Sequence, residues 1–483
     1  MWRAVSGLVL MGMPMLVVHA QKAGGNPAIY PERLHDDLEV LRSFIHEAHP
    51  DPYRFTPKER IDAVVDSVRR SVDVPMTPVG FLKAIMPVFH AVGDPRLKPT
   101  VSAASGGWDN GTPLIPLRVR LLEDGLYVEE ELKGFRSLPL GARIISINGL
   151  PATEIIERLC GAVVAEGANI TFKHRLIEQE FPLLLARHVS SGHEHLVRYA
   201  APDGTVEERM IMGITAEEMS RVRKPTGKKL APWSGVPVQG SAAFWLTIRT
   251  FDRDSLTRSG QRPEKYLAGL MKELRRSRTR TLIVDVRGAG GRELAMAELV
   301  FAAIAQKPFR VVRDMTVRSL SPPARYDLAT PQPEFYATVR DQFVEAPSGF
   351  AHLRSDDVRL LPIPPANQAF EGAVYVVADG MTRDAGATFV MMVKRERRGR
   401  IIGEETGTNA HSFTGGRELT VTTPHAGLRF SIPLIRYVPE GNATGPADRG
   451  ESPHYELTPL PVGLVKGRDT VREAVLQLVG ELR

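Results

Sequence analysis

The sequence predicts an α/β protein that carries a helical N-terminal domain and a β-rich module ahead of the α/β core. Apolar residues recur at helical spacing over 31–92, and they alternate with period two in much of 113–213. From residue 242 onwards, apolar strand patterns alternate with helical patterns, as in an α/β core. Because 483 residues exceed one ordinary domain, we expect two or three domains.

Residues 21–105 are expected to form the helical domain. The first helix has an apolar face, formed by Leu34, Leu38, Leu41 and Ile45. A second helix is expected after the capping-box sequence TPKE at 56–59, and a third is expected from Thr77.

Residues 110–215 are expected to form the β-rich module. Strand residues alternate at Leu117, Val119 and Leu121, and tight-turn pairs follow at Asp124-Gly125 and Asn148-Gly149. A basic stretch rich in proline and glycine, residues 223–240, then predicts a linker to the core.

The α/β core is expected over residues 241–483. Its strands are predicted from four apolar runs: FWLTI at 244–248, TLIVDV at 281–286, VYVVA at 374–378 and RIIG at 400–403. Helices are expected at 262–276 and 293–306, and the weakly periodic segment 320–368 is expected to be an insertion.

The first 20 residues have the features of a signal peptide. Arg3 precedes an apolar stretch from Leu8 to Val18, and Val18-His19-Ala20 fits a small-residue cleavage site before Gln21. A membrane anchor is the alternative, but the stretch is short and contains Pro14. We therefore expect an exported protein, periplasmic or secreted, with no membrane span after cleavage.

Composition argues against several other functions. The net charge of +6, from 62 basic and 56 acidic side chains, is small for this length, so we expect no nucleic-acid partner. The single cysteine, Cys160, excludes an intrachain disulfide. The HEH triplet at 193–195 lacks an indicated third ligand, so we expect a surface loop there, with no metal and no cofactor.

The stretch ADGMTRDAGATFV at 378–390 joins a predicted strand to a predicted helix. A turn of this kind favours a nucleophile, because the helix N-terminus supplies backbone N–H donors and a positive dipole. Here the turn contains Thr382, Arg383 and Asp384, with no serine or cysteine.

Several stretches together resemble the tail-specific, or C-terminal processing, serine peptidases. They are TLIVDVRGAGGR at 281–292, GMTRDAGATF at 380–389 and RIIGEETGT at 400–408. LGARIISINGLPATEII at 140–156 resembles the PDZ-like module of these proteins. EAHPDPYRF at 47–55 and VGDPRL at 92–97 resemble a bacterial subgroup with a helical N-terminal domain.

The resemblance implies a crotonase-like (ClpP-like) core, an extracytoplasmic location and cleavage of peptide bonds near C-termini. The implied partners are peptides, or unfolded or C-terminal segments of proteins.

The family's catalytic residues are substituted in this sequence. The nucleophilic serine falls on Asp384, the histidine of the subgroup falls on Arg96, and the lysine of the Ser-Lys branch falls on Asn409. The implied oxyanion donors are the backbone N–H groups of Gly290 or Gly291 and of Ala385. The glycine turn also departs from the family pattern, with Ala289 for asparagine and Arg292 for its last glycine.

These substitutions predict a family member that has lost catalysis and acts by binding peptides or proteins. Arg96 is protonated at every working pH and cannot serve as a general base. One alternative is an active serine-type peptidase that uses Thr382 or Ser412 as a displaced nucleophile. Another is a hydrolase in which Asp384 works with Glu404 or Glu405 as an acid/base pair.

Asp384 itself has two non-catalytic interpretations. It caps the following helix through its carboxylate. Alternatively, its carboxylate occupies the former oxyanion hole, accepting hydrogen bonds from Gly290 or Gly291, with Arg96 or Arg292 as the neutralising partner.

Overall fold

The computed structural model describes residues 28–101, 111–122, 124–132, 137–222 and 231–481. The expected signal peptide lies outside these residues. Within the described ranges, no helix is long and apolar enough to cross a membrane.

The described chain has three consecutive parts. The first contains α1 (Pro31–Glu47), α2 (Lys58–Ser71), α3 (Pro78–Val92) and β1 (Thr100–Val101). The second contains β2 (Leu117–Leu122), β3 (Gly125–Glu131), β4 (Arg143–Ile147), β5 (Leu150–Pro151), α4 (Ala152–Ala162), α5 (Ile170–His188), β6 (Glu194–Ala200), β7 (Val206–Met212) and α6 (Ala216–Val222).

The third part contains β8 (Trp233–Pro237), β9 (Ala243–Ile248), α7 (Arg253–Arg258), α8 (Pro263–Arg276), β10 (Thr281–Asp285), α9 (Leu294–Ala302), β11 (Val312–Val317), α10 (Pro333–Gln342), β12 (Phe343–Glu345), β13 (Ala351–Leu353), β14 (Ala373–Ala378), α11 (Ala385–Arg395), β15 (Arg400–Gly403), β16 (Phe413–Thr422), β17 (Leu428–Pro439), β18 (Tyr455–Glu456), α12 (Pro461–Lys466) and α13 (Thr470–Glu481). The predicted α/β class is confirmed, whereas the crotonase-like and PDZ-like assignments stay predictions.

A mainly parallel sheet forms the centre of the third part, in the order β18-β15-β14-β10-β9-β8. All five residues of β10 are buried, as expected for a parallel strand covered on both faces. Because β10 and β14 are parallel neighbours, the segments that follow them meet at one edge of the sheet. These segments contain the glycine turn at 288–291 and the turn at 379–384.

A second sheet, in the order β1-β17-β11-β13-β12 with β16 paired to β17, packs against the N-terminal helices. Phe430 of β17 makes edge-on ring contacts with Phe44 of α1 and Phe89 of α3, each with ring centroids 6.3 Å apart. The N-terminal helices therefore share one hydrophobic core with the α/β part, so the domain expected at 21–105 has no separate core among the described residues.

The β-rich module has its own antiparallel sheet, in the order β2-β3-β4-β6-β7 with β5 paired to β4. Its buried residues form a hydrophobic cluster distinct from that of the core. The 19-residue helix α5 was not predicted from the period-two pattern. Its N-cap residue is Asn169, whose side chain accepts a hydrogen bond from the N–H of Phe172 (2.9 Å).

Two segments differ from the sequence-based prediction. The expected linker at 223–240 contains β8, which pairs antiparallel with β9 and buries Trp233, the indole of which donates to the carbonyl of Thr250 (2.8 Å). The predicted linker is therefore wrong over 233–237, and its residues 223–230 lie outside the described part of the chain. The expected insertion at 320–368 contributes β12 and β13 to the second sheet.

Candidate functional site

Asp384 stands between β14 and α11 with φ 54° and ψ −123°. This conformation is strained for a residue with a Cβ, at a cost of roughly 1–3 kcal/mol, and it persists only where surrounding contacts fix it. The N–H of Asp384 donates to the Thr408 hydroxyl (2.8 Å), and the N–H of Arg383 donates to the carbonyl of Ala289 (2.9 Å). The turn therefore has the sharp strand-to-helix geometry that displays a nucleophile in other hydrolases.

Asp384 occupies the N-cap position of α11, but its carboxylate makes no capping hydrogen bond. The predicted capping role is wrong, because an N-cap side chain folds back from an extended backbone and Asp384 has a positive φ. The carboxylate instead forms an ion pair with Arg96, from Oδ1 to Nη2. The two positions implied for the nucleophile and its base are therefore in direct contact, although they are far apart in the sequence.

Arg96 connects Asp384 to a second carboxylate. Its Nη1 lies 3.5 Å from Oε1 of Glu418, and Arg292 Nη2 lies 3.7 Å from Oε2 of the same glutamate. Burial lowers the pKa of Arg96, but the nearby carboxylates, Asp384 foremost, outweigh burial and raise the pKa overall. Arg96 is thus held in its charged form and cannot accept a proton.

The position of Arg96 is set by Asp94. The Asp94 carboxylate accepts from the Arg96 N–H (2.9 Å), from Nε2 of His49 (3.0 Å) and from the Thr414 hydroxyl (2.5 Å). Burial alone would raise the pKa of Asp94, but its hydrogen bond and charge interaction with His49 hold it well below its usual range. The two N-terminal motifs of the resemblance thus meet in one buried cluster.

The implied oxyanion donors are only partly available. The N–H of Ala385 donates to the carbonyl of Gly291 (3.0 Å), so this predicted donor is already engaged. Asp384 Oδ2 lies 3.9 Å from the point that a Cβ on Gly290 would occupy, which places the carboxylate beside the glycine turn. Among the described residues, neither Gly290 nor Gly291 donates a hydrogen bond to it, and its charged partner is Arg96 rather than Arg292.

Glu404 and Glu405 are both buried in ion pairs away from Asp384. Arg175 binds both oxygens of Glu404 (2.9 and 2.6 Å), and Arg449 binds both oxygens of Glu405 (2.9 and 2.5 Å). In the described structure neither glutamate has a hydrogen bond or ion pair with Asp384. The geometry therefore gives no acid/base pair with Asp384.

The candidate displaced nucleophiles are also buried. Thr382 is fully buried, and its hydroxyl donates to the carbonyl of Val286 (2.9 Å). Ser412 is 3% exposed. Asn409, at the position implied for a lysine, donates its amide to the backbone carbonyls of Ala447 and Arg449 (2.8 and 3.1 Å). These residues contribute to the structure of the loops around the turn.

A cleft of about 980 Å³ opens beside the Arg96–Asp384 pair. It is lined by the glycine turn, by Thr408, and by side chains of α3 and α5, including Leu82, Met86, Phe172 and Leu176. All three parts of the chain thus contribute to its walls.

Sequence reasoning missed Asp379, Thr408 and Glu418. Asp379 accepts from the N–H groups of Gly288 (2.8 Å) and Met381 (3.0 Å), and so ties the glycine turn to the turn before α11. Thr408 is the last residue of the RIIGEETGT motif, so the sequence offered a signal for its position at the site. Glu418 lies in an ordinary strand pattern that carried no signal.

In the part of the chain that the structure describes, no group of three or more His, Cys, Asp or Glu side chains is placed to hold a metal ion. His195 is 1% exposed in β6. The surface loop predicted for HEH at 193–195 is wrong for His195, because strand alternation turns it inward.

Comparisons with known proteins support the resemblance in sequence. A model of peptidase family S41 matches residues 245–456, which include both turns. No curated protein matches the chain.

Solved structures of a protein called CPAF are similar in fold. Mature CPAF has a TM-score of 0.64 at 14% identity, covering 94% of this chain and 98% of that one. CPAF complexed with lactacystin has a TM-score of 0.64 at 13% identity, covering 93% and 99%. A CPAF serine-to-alanine mutant has a TM-score of 0.67 at 12% identity, covering 93% and 98%. At these identities the likeness shows the fold alone.

Proposed function

Because residues 245–456 match the model of peptidase family S41, we propose that the chain is a member of this family that binds peptide segments in its cleft without cleaving them. The observation that carries the proposal is the ion pair between Arg96 and Asp384. It occupies the two positions at which the resemblance implies a base and a nucleophile.

The chemistry of peptide cleavage is incompatible with this pair. Acyl transfer needs a nucleophile, a base that takes its proton, and donors for the developing oxyanion. A carboxylate bound to a guanidinium is a poor nucleophile towards an amide, and arginine does not act as a base. The engagement of the Ala385 N–H by Gly291 removes one oxyanion donor as well.

Peptide binding needs none of these groups. The cleft has the volume of a ligand site, with apolar walls from α3 and α5 and polar groups at the turn. Members of a peptidase family act on peptides or proteins, so the same cleft offers a site for a peptide that stays intact.

Export is part of the same proposal, supported by the signal-peptide features of residues 1–20 and by the location that the resemblance implies. The mature protein then begins at Gln21. N-terminal sequencing of the protein from its native host checks this, and an intact Met1 contradicts it.

The test of function uses the purified mature chain and a mixed peptide library. Mass spectrometry reads both cleaved products and peptides retained by the protein, and a fluorophosphonate probe reports an active serine nucleophile. We expect retention of some peptides, with no new termini and no labelling. Cleavage that disappears in Asp384→Ala contradicts the proposal in favour of a carboxylate-based hydrolase, and probe labelling of the wild type contradicts it in favour of a serine peptidase.

A further inference from the structure

The cleft beside Asp384 is strongly cationic. Among the described residues that line it, seven are lysine or arginine and three are aspartate or glutamate. The whole chain has a much weaker basic excess, 62 to 56, so cationic residues are concentrated at this site. A pocket of one charge attracts ligands of the opposite charge.

The carboxylates of the cleft do not offset this excess. Asp384 is bound to Arg96, and Glu166 lies 3.4 Å from Nη2 of the buried Arg54. The third carboxylate, Glu180, acts electrostatically on Arg187. Each carboxylate is therefore already close to an arginine.

Four cations of the cleft have no such partner. The side chains of Lys83, Lys98, Arg249 and Arg383 form no hydrogen bond or ion pair with any described residue. Lys83 is on α3, Lys98 lies between α3 and β1, Arg249 follows β9 and Arg383 precedes α11. The unpaired charges thus come from different walls of the cleft, as an extended ligand with several negative groups requires.

Arg383 is the most constrained of the four. Its guanidinium lies over the Phe172 ring, 5.8 Å from the centroid, and its buried Nε has no hydrogen-bond partner among the residues that the structure describes. A carboxylate matches the planar donor geometry of arginine.

We infer that the cleft selects peptide segments rich in aspartate and glutamate, and that Arg383 binds a ligand carboxylate next to the Arg96–Asp384 pair. This inference rests on the proposed peptide-binding function and specifies its ligand class.

The test compares two fluorescent peptides of equal length and sequence, one with glutamate and the other with glutamine at alternate positions. Fluorescence polarisation with the mature wild-type chain should show at least tenfold tighter binding of the glutamate peptide. Added salt should reduce that difference, because it screens charge interactions. Equal affinities overturn the acidic preference and leave peptide binding intact, whereas no binding of any library peptide overturns the proposed function itself.

Single substitutions show which arginines cause the preference for the glutamate peptide. Arg383→Gln should weaken binding of the glutamate peptide about tenfold, the loss expected for one charge-assisted hydrogen bond, and change binding of the glutamine peptide by less than twofold. Arg249→Gln, at an exposed position on another wall, should also reduce the preference.

The matched control is Arg397→Gln, an exposed arginine outside the cleft that has no side-chain partner among the described residues. Equal losses in Arg383→Gln and Arg397→Gln would show that general surface charge binds the peptide, and would overturn the assignment to the cleft.

Discussion

Asp384 combines backbone strain with a charge interaction, and the two are separable by substitution. Replacement by alanine or by glycine removes the ion pair with Arg96 equally. Only glycine accepts φ 54° and ψ −123° without strain from a Cβ.

We therefore expect Asp384→Gly to be more stable than Asp384→Ala by about 1 kcal/mol. Urea denaturation of the two variants measures the difference. Equal free energies of unfolding would show that the turn relaxes when the aspartate is removed.

The contact between positions 96 and 384 gives a second prediction at the residue scale. Asp384→Ser alone should not react with a fluorophosphonate probe, because Arg96 accepts no proton. In the double variant Asp384→Ser/Arg96→His, we expect measurable labelling, since a histidine at position 96 has Glu418 nearby to orient it. Adding Glu418→Gln should reduce the labelling, and labelling of Asp384→Ser alone would contradict the role given to Arg96.

Individual elements differ in how well the sequence predicted them. The strands β9, β10 and β14 were predicted because parallel strands buried on both faces have continuous apolar runs. β8 was missed because WSGVP contains glycine and proline and only its tryptophan is fully buried. α5 was missed because its apolar residues face both the module and the cleft, which obscures the spacing of a one-sided helix.

The packing of β17 against α1 and α3 predicts that these elements unfold together. Phe430 is 1% exposed and contacts aromatic rings of both helices. Phe430→Ala should lower the free energy of unfolding by about 3–5 kcal/mol.

In this variant, limited proteolysis should cut the N-terminal helices and the α/β part at the same denaturant concentration. Phe181→Ala, in the separate core of the module, is the control, and release of α1–α3 ahead of the rest in Phe430→Ala would contradict a shared core.

At the scale of the whole molecule, Glu166 joins the three parts of the chain. It follows α4 of the module, pairs with Arg54 of the N-terminal part, and accepts from the N–H of Asn409 in the core (3.0 Å). Burial raises the pKa of Glu166 to about 7. The positive charge of Arg54 lowers this pKa, and the negative charge of Asp94 raises it further. The folded chain therefore holds a proton that the unfolded chain releases near pH 4.5.

This proton makes stability depend on pH in a defined direction. Since the folded-state pKa is the higher one, the stabilising effect is complete below pH 4.5 and is lost as the pH rises through 7. Between pH 5 and pH 8 the wild type should lose about 2 kcal/mol from this group, and Glu166→Gln should lose less. Asp94 titrates in the opposite sense but only below its usual range, so the two effects fall in separate pH windows. An identical pH dependence in Glu166→Gln would exclude Glu166 as its source.

The site as a whole was predictable only where a motif marked it. The motifs around Asp384, Arg96 and the glycine turn carry the family resemblance, and that resemblance implied that these residues share one site. The roles of Glu418 and Asp379, and the positions of Lys83 and Lys98 in the cleft, depend on how distant segments pack, which no local pattern contains.

The conformation of the turn before α11 has one more consequence. Its backbone is held by main-chain hydrogen bonds and by the Thr408 hydroxyl, while the Asp384 side chain makes no capping bond and pairs with Arg96 instead. The main-chain contacts of the turn thus do not depend on which side chain stands at position 384. A change of chemistry at position 384 therefore leaves these backbone contacts in place, so the same turn can display side chains of different reactivity.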